Sequence, residues 1–149
     1  MKPPSRPRSA AAEARRCTFP ATLEEVGHIL SFVGGLASKA GLAADLAIRL
    51  ELAIEEWVVN LCTHAYSGRD GEIEVAVREG SGELLIEIID EGPPFDLTAS
   101  AEPDLTLPLA DRRPGGLGLV LIRRMVDEVR YRRDGERNVI TLRVGKPHS

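Results

Sequence analysis

Apolar residues change their spacing several times along this chain of 149 residues. From Leu23 onward they recur every three or four positions, at Leu23, Val26, Leu30 and Val33, which is the period of one helix face. Thr22 stands three residues before Glu25, the spacing of a capping box, and Gly41 supplies a stop. A second helical stretch, "AADLAIRLELAIEEWVVNLCTHAY", carries Leu46, Leu50, Ala53, Trp57 and Leu61 on one stripe and ends at the Gly68–Gly71 turn. The period then drops to two. Ile73, Val75 and Val77 alternate in "EIEVAVREG", and "ELLIEIIDEG" pairs with it across Gly80-Ser81-Gly82 as a hairpin ending at Asp90.

Between Pro93 and Pro114 neither period holds. A stretch this long inside one domain is expected to be functional, such as a lid over a site. Helical spacing resumes in "GGLGLVLIRRMVDEVRY", with Leu119, Ile122, Val126 and Val129 on one face, and "YRRDGERNVITLRV" closes the chain as a last hairpin. The order α-α-β-β-loop-α-β-β predicts an α/β two-layer sandwich, with helices packed on one face of a mixed, mostly antiparallel sheet.

Composition adds limits to this picture. With 43% hydrophobic and 28% charged residues, the chain fits one soluble domain. No apolar run approaches the roughly 20 residues that span a bilayer, and the N-terminus lacks the apolar block of a secretory signal. A cytoplasmic protein without a membrane role is expected. Cys17 and Cys62 form neither a disulfide framework nor a metal spacing. Charge is uneven: five basic residues against Glu13 give +4 over residues 1–16, which leaves −8 for the rest of a chain whose net charge is −4. The expected organisation is a flexible basic tail over 1–16 and a folded domain over 17–149. An acidic body argues against direct nucleic-acid binding.

Three places carry candidate chemistry. On a helical wheel Glu56, Asn60 and His64 stack one above another beside the apolar stripe, while Glu55 points to water. A carboxylate and an amide one turn apart can hold or activate a bound group; equally, Asn60 and His64 can bond to nearby backbone and Glu56 be solvated. Asp90-Glu91-Gly92 ends an apolar strand, where a carboxylate can accept from an exocyclic amine and Gly92 permits close approach. The same residues also suit an ordinary turn. Gly115, Gly116 and Gly118 open a helix, a place where exposed N–H groups bind phosphate, or simply a glycine hinge.

Taken in chain order, "EEWVVNLCTHAY", "DEGPPFD" and "GGLGLVLIRRMVDEVRY" resemble the Asn, Asp and Gly boxes of the Bergerat ATP-binding fold. That fold is shared by gyrase, the ninety-kilodalton chaperones, histidine kinases and mismatch-repair ATPases, the GHKL superfamily. Within it the chain is most similar to the bacterial anti-sigma-factor serine/threonine kinases, over about Phe19 to Val144. The resemblance implies an ATP- and Mg²⁺-dependent kinase with Glu56 as catalytic base and Asn60 on the metal. It further implies a nucleotide pocket of Asn60, His64, Asp90, Gly92, Phe95, Arg113, Gly116, Leu117, Gly118, Leu119 and Asn138, with Arg112 beside Arg113 at the lid's end. Asn138 stands where relatives often have a Thr supporting the adenine Asp. Pro114 replaces a usual first Gly of the Gly box, and Pro93 and Pro94 replace the second Gly of a wider Asp-x-Gly-x-Gly pattern. The implied partners are a STAS-domain anti-anti-sigma protein, a sigma factor and a second copy of the chain. The alternative is an ATP-dependent protein-interaction module with little or no kinase activity. A detached histidine-kinase domain fits less well, because no helix pair presenting a phosphoacceptor His precedes Asn60.

Overall fold

The computed structural model describes residues 13–66, 70–80, 82–94 and 116–145, with backbone alone for 116–119. Five strands form one sheet in the order β1-β2-β3-β5-β4, and every neighbouring pair is antiparallel. The strands are β1 (Arg15–Pro20), β2 (Glu72–Gly80), β3 (Glu83–Asp90), β4 (Glu128–Asp134) and β5 (Arg137–Gly145). Both expected hairpins are present. The expected two-layer α/β sandwich is present, and its sheet, expected to be mixed and mostly antiparallel, pairs only antiparallel among the described residues. β1 is an addition. Its "RRCTFP" has one buried residue, Phe19, and takes in Arg15 and Arg16. It forms because β2 offers a free edge, in a register running from Arg15 opposite Val77 to Pro20 opposite Glu72.

Three helices supply the second layer: α1 (Val26–Lys39), α2 (Ala44–Asn60) and α3 (Gly116–Met125). The face that α1 buries is Ile29, Val33 and Ala37, at i, i+4 and i+8. Leu23, expected on that face, is 52% exposed, because Leu23–Glu25 is a 3₁₀ turn whose three-residue period points it elsewhere. The capping box does not close. Thr22 makes no side-chain cap bond, and the Glu25 carboxylate lies 3.0 Å from His28 Nδ1 instead. Gly41 ends α1 as expected: at φ +78° it lets the Leu42 N–H reach the Ala37 carbonyl at 3.0 Å.

On α2 the stripe gains Ile54 and Val58 beside the expected Leu50, Ala53 and Trp57. These pack with Ile29 and Val33 of α1, Ile122 of α3 and the inner face of the sheet as one core. Each fully buried Ile or Leu there is worth about 1.5–3 kcal/mol. After Asn60 the helix widens into a π-turn, Leu61–Tyr66. α3 packs along α2 and ends at Met125, so Val129, expected on its face, belongs to β4.

Because side chains alternate along a strand, the register defines rows on each face. Cys17, Val75, Ile88 and Ile140 form one row toward the helices, and Phe19, Ile73, Asp90 and Asn138 form the next. The outer face carries ion pairs, such as Arg16 and Arg137 on Glu74 at 3.0 and 2.7 Å. Such exposed pairs contribute about 0–1 kcal/mol each.

Candidate active site

Asp90 is the last residue of β3, and its inward position follows from strand alternation after Ile86 and Ile88. It is 2% exposed, and Asn138, directly opposite on β5, is 4% exposed. A buried carboxylate needs hydrogen-bond donors, and three converge on its Oδ2. The Gly92 N–H donates at 2.8 Å, Asn138 Nδ2 at 3.2 Å and the Tyr66 hydroxyl at 3.4 Å. The other oxygen, Oδ1, is buried and accepts nothing among the described residues. Leaving a buried acceptor unmade costs about 1–3 kcal/mol, more for a charged group. An acceptor kept open at that cost fits a ligand's N–H, such as the exocyclic amine of adenine.

Gly92 is required beside it. A Cβ there would sit 2.9 Å from Asp90 Oδ2 and 3.4 Å from the Ala65 Cβ. Ala65 and Tyr66 arrive through the π-turn, which buries the Tyr66 ring against Gly71, where a Cβ would lie 2.2 Å from that ring. The Tyr66 oxygen also accepts from the Glu91 N–H at 3.0 Å. Burial pushes the Tyr66 phenol upward and the neighbouring Asp90 charge adds to this, while the Glu91 N–H opposes it. The phenol therefore stays a donor across neutral pH. Tyr66 was quoted in the Asn box without a role; its function depends on the π-turn, which no local pattern announces.

Glu56 and Asn60 occupy the last turns of α2. Glu55 is exposed and Glu56 half-buried, so the wheel separates the pair as expected. Asn60 Nδ2 donates to the Glu56 carbonyl at 2.8 Å and to Glu56 Oε2 at 3.2 Å. Its amide oxygen takes no bond among the described residues, and is the hard donor that Mg²⁺ prefers. Among the described residues no group of three His, Cys, Asp or Glu side chains is placed to hold a metal ion. His64 does not continue the stack. The wider π-turn breaks the 3.6 period after Asn60, and His64 is exposed.

The backbone of Gly116, Leu117, Gly118 and Leu119 forms the first turn of α3, where N–H groups lack helical partners. Phe95, Arg112, Arg113, Gly115 and the expected lid lie outside the described residues, apart from Pro93 and Pro94 at its start. The structure thus brings Asp90, Gly92 and Asn138 into contact and joins them to the α2 end through Ala65 and Tyr66. Two further residues of the cluster, Tyr131 and Arg133, were absent from the sequence reading. Tyr131 donates to Asn138 Oδ1 at 2.6 Å, and Arg133 Nη1 donates to the same oxygen at 3.1 Å.

This arrangement, an open buried carboxylate at a strand end beneath a helix carrying Glu-x-x-x-Asn, is that of an ATPase domain. Residues 19–144 match the Histidine kinase-like ATPase domain family, and the chain belongs to it. Within that family it groups with the serine-protein kinases. The serine-protein kinase RsbW of Bacillus pumilus is 40% identical over 118 residues, covering 74% of this chain and 73% of that protein. RsbW of Halalkalibacterium halodurans is 31% identical, over 82% of this chain and 77% of its own. The serine/threonine-protein kinase BtrW of Bordetella bronchiseptica is 33% identical, over 67% and 71%. The fold also recurs within a solved structure of the RsbU and RsbW domains of a Mycobacterium tuberculosis protein, with a TM-score of 0.65 at 19% identity. That match covers 91% of this chain and 33% of the longer one. Among the described residues no helix is long and apolar enough to cross a membrane.

Proposed function

We propose that this protein is an ATP- and Mg²⁺-dependent serine kinase that doubles as an anti-sigma factor. It phosphorylates a Ser or Thr of a STAS-domain anti-anti-sigma partner and sequesters a sigma factor, acting as a homodimer in the cytoplasm. The observation that carries the reading is the buried, unpartnered Oδ1 of Asp90, for which the adenine amine is the complementary donor.

In this reading Glu56 takes the proton of the attacking hydroxyl. Asn60 holds that carboxylate through Nδ2 and presents its oxygen to the metal. Mg²⁺, when bound with the phosphates, supplies neutralisation of the charge on the transferred group. The N–H groups of Gly116 to Leu119 hold the phosphates. Phe95 and Arg113 complete the pocket, with His64, exposed on the π-turn, at its outer rim. A phosphorylated partner gains about −2 charge, which an acidic body repels, so transfer and release follow from one electrostatic change.

A second reading is an ATP-dependent interaction module with little or no kinase activity. It is favoured by the Asn60 bond to Glu56 Oε2, which occupies one oxygen of the carboxylate that transfer needs. Incubation with γ-labelled ATP and a purified STAS-domain protein decides between them. Label is expected on a Ser or Thr of that protein. Glu56→Gln should cut transfer on the order of 10²–10⁴-fold with ADP binding retained, and Glu55→Gln should change neither. Retained ATP binding with no transfer to any STAS partner would establish the module instead.

A further inference from the structure

The amide of Asn138 can turn only one way. Its Oδ1 accepts from the Tyr131 hydroxyl at 2.6 Å and from Arg133 Nη1 at 3.1 Å. Both donors stand on β4, the edge strand, at positions opposite Ile140 and Asn138 and on the helix-facing side. A flipped amide would aim its NH₂ at the Arg133 guanidinium, which only donates, and its oxygen at the Gly92 and Pro93 carbonyls, which only accept, so the oxygen is held toward β4. The nitrogen is thereby left facing the pocket. It donates to Asp90 Oδ2 at 3.2 Å, to the Pro93 carbonyl at 2.9 Å and to the Gly92 carbonyl at 3.3 Å. Arg133 closes the ring, since its Nη1 also donates to the Gly92 carbonyl at 2.8 Å, while the Gly92 N–H holds Asp90 Oδ2. Apart from Tyr66, every donor that sets the rotation of the Asp90 carboxylate is therefore held from β4.

We infer that Tyr131 and Arg133 are positioning residues that make the pocket take a 6-amino purine and refuse a 6-oxo purine. The inference rests on the nucleotide reading above and assigns the source of its base selectivity. With the amide locked, Oδ2 of Asp90 carries three donors, and among the described residues Oδ1 is left open to a base amine. A 6-oxo purine brings a carbonyl oxygen to that acceptor, and two acceptors with no proton between them repel. With both donors removed, the buried Asn138 oxygen is left unsatisfied and the Gly92 carbonyl loses Arg133, so the amide and the Gly92 N–H shift and the carboxylate they hold loses its aim. The phosphate end of a nucleotide is untouched by this change, so the effect falls on the base.

The test is calorimetric titration of ADP and IDP, which differ at the 6-position, into the full chain and its variants. The unaltered protein should prefer ADP. Arg133→Met and Tyr131→Phe together should narrow the ADP-to-IDP preference by about tenfold, by weakening ADP while IDP stays in place. Each single change should narrow it less, and Arg133→Lys should restore part of it, because an ammonium still donates. Arg130→Met, whose side chain bonds Glu128 rather than Asn138, should leave the preference unchanged. Melting temperatures without nucleotide separate loss of fold from loss of selectivity. An equal fall in both affinities, or an unchanged preference in the double variant, overturns the β4 lock and leaves the nucleotide reading standing. Failure of the unaltered protein to bind either nucleotide overturns both.

Discussion

Two neighbouring rows on the inner face of the sheet cross β3 and β5 at equally buried positions, apolar in one row and polar in the other. Val75, Ile88 and Ile140 are at most 1% exposed, and Asp90 and Asn138, one step along the same strands, are 2% and 4% exposed. Burial alone therefore does not separate core from site. What separates them is completeness. Val75, Ile88 and Ile140 belong to the hydrophobic core, whereas the polar pair leaves Asp90 Oδ1 without a partner among the described residues. Burial of the first row stabilises the fold outright. The second gives up that stabilisation and holds an acceptor open, which is understandable only if something else supplies the donor.

The contrast can be broken in four places, taken from the largest effect down. Ile140→Ala should cost about 2–5 kcal/mol of unfolding free energy, read by urea denaturation, with ADP affinity unchanged in the fraction that remains folded. Asp90→Asn should do the reverse. Removing a charge-assisted bond worth about 1.5–3 kcal/mol should weaken ADP binding roughly 10–100-fold by titration calorimetry, with stability within about 1 kcal/mol of the original. If it destabilised like Ile140→Ala and still bound ADP, the two rows would be one core. Gly92→Ala should weaken ADP by about tenfold, because the new Cβ lies 2.9 Å from Asp90 Oδ2 and turns the carboxylate.

The smallest effect concerns Tyr66. Burial raises its phenol above the ordinary 10.0, so the folded state holds that proton more tightly than the unfolded chain does. The resulting stability is complete below about pH 10 and is lost as pH rises through the folded value. Unfolding curves collected upward from pH 9 should fall more steeply for the original protein than for Tyr66→Phe. Parallel curves would mean that the phenol is not held by the polar row.

Much of this was legible from residues alone. The separation of exposed Glu55 from half-buried Glu56 needed only helical phase, whereas a catalytic role for Glu56 came from the resemblance. The placement of Asn138 beside the Asp came from the resemblance to the ATPase family, and the register puts the two directly opposite each other. What was not legible has physical causes. β1 has a single buried residue and owes its existence to the β2 edge, more than fifty positions away in the chain. His64 left the predicted stack because a π-turn resets helical phase without any proline or glycine to announce it. The Thr22–Glu25 box had the right spacing, but a 3₁₀ turn follows Thr22 and Glu25 is drawn to His28 instead.

The sequence by itself determined most of the inward residues, where the hairpins turn and which carboxylate of the Glu pair faces water, because these follow from local periods of 3.6 and 2. Tertiary structure alone decided the state of Asp90. Which of its oxygens is satisfied depends on a hydroxyl from the π-turn, an N–H two residues on and an amide from β5 oriented by β4. Hydrogen bonds between segments that far apart obey distance and angle, not sequence spacing, so no reading along the chain could have found the open oxygen.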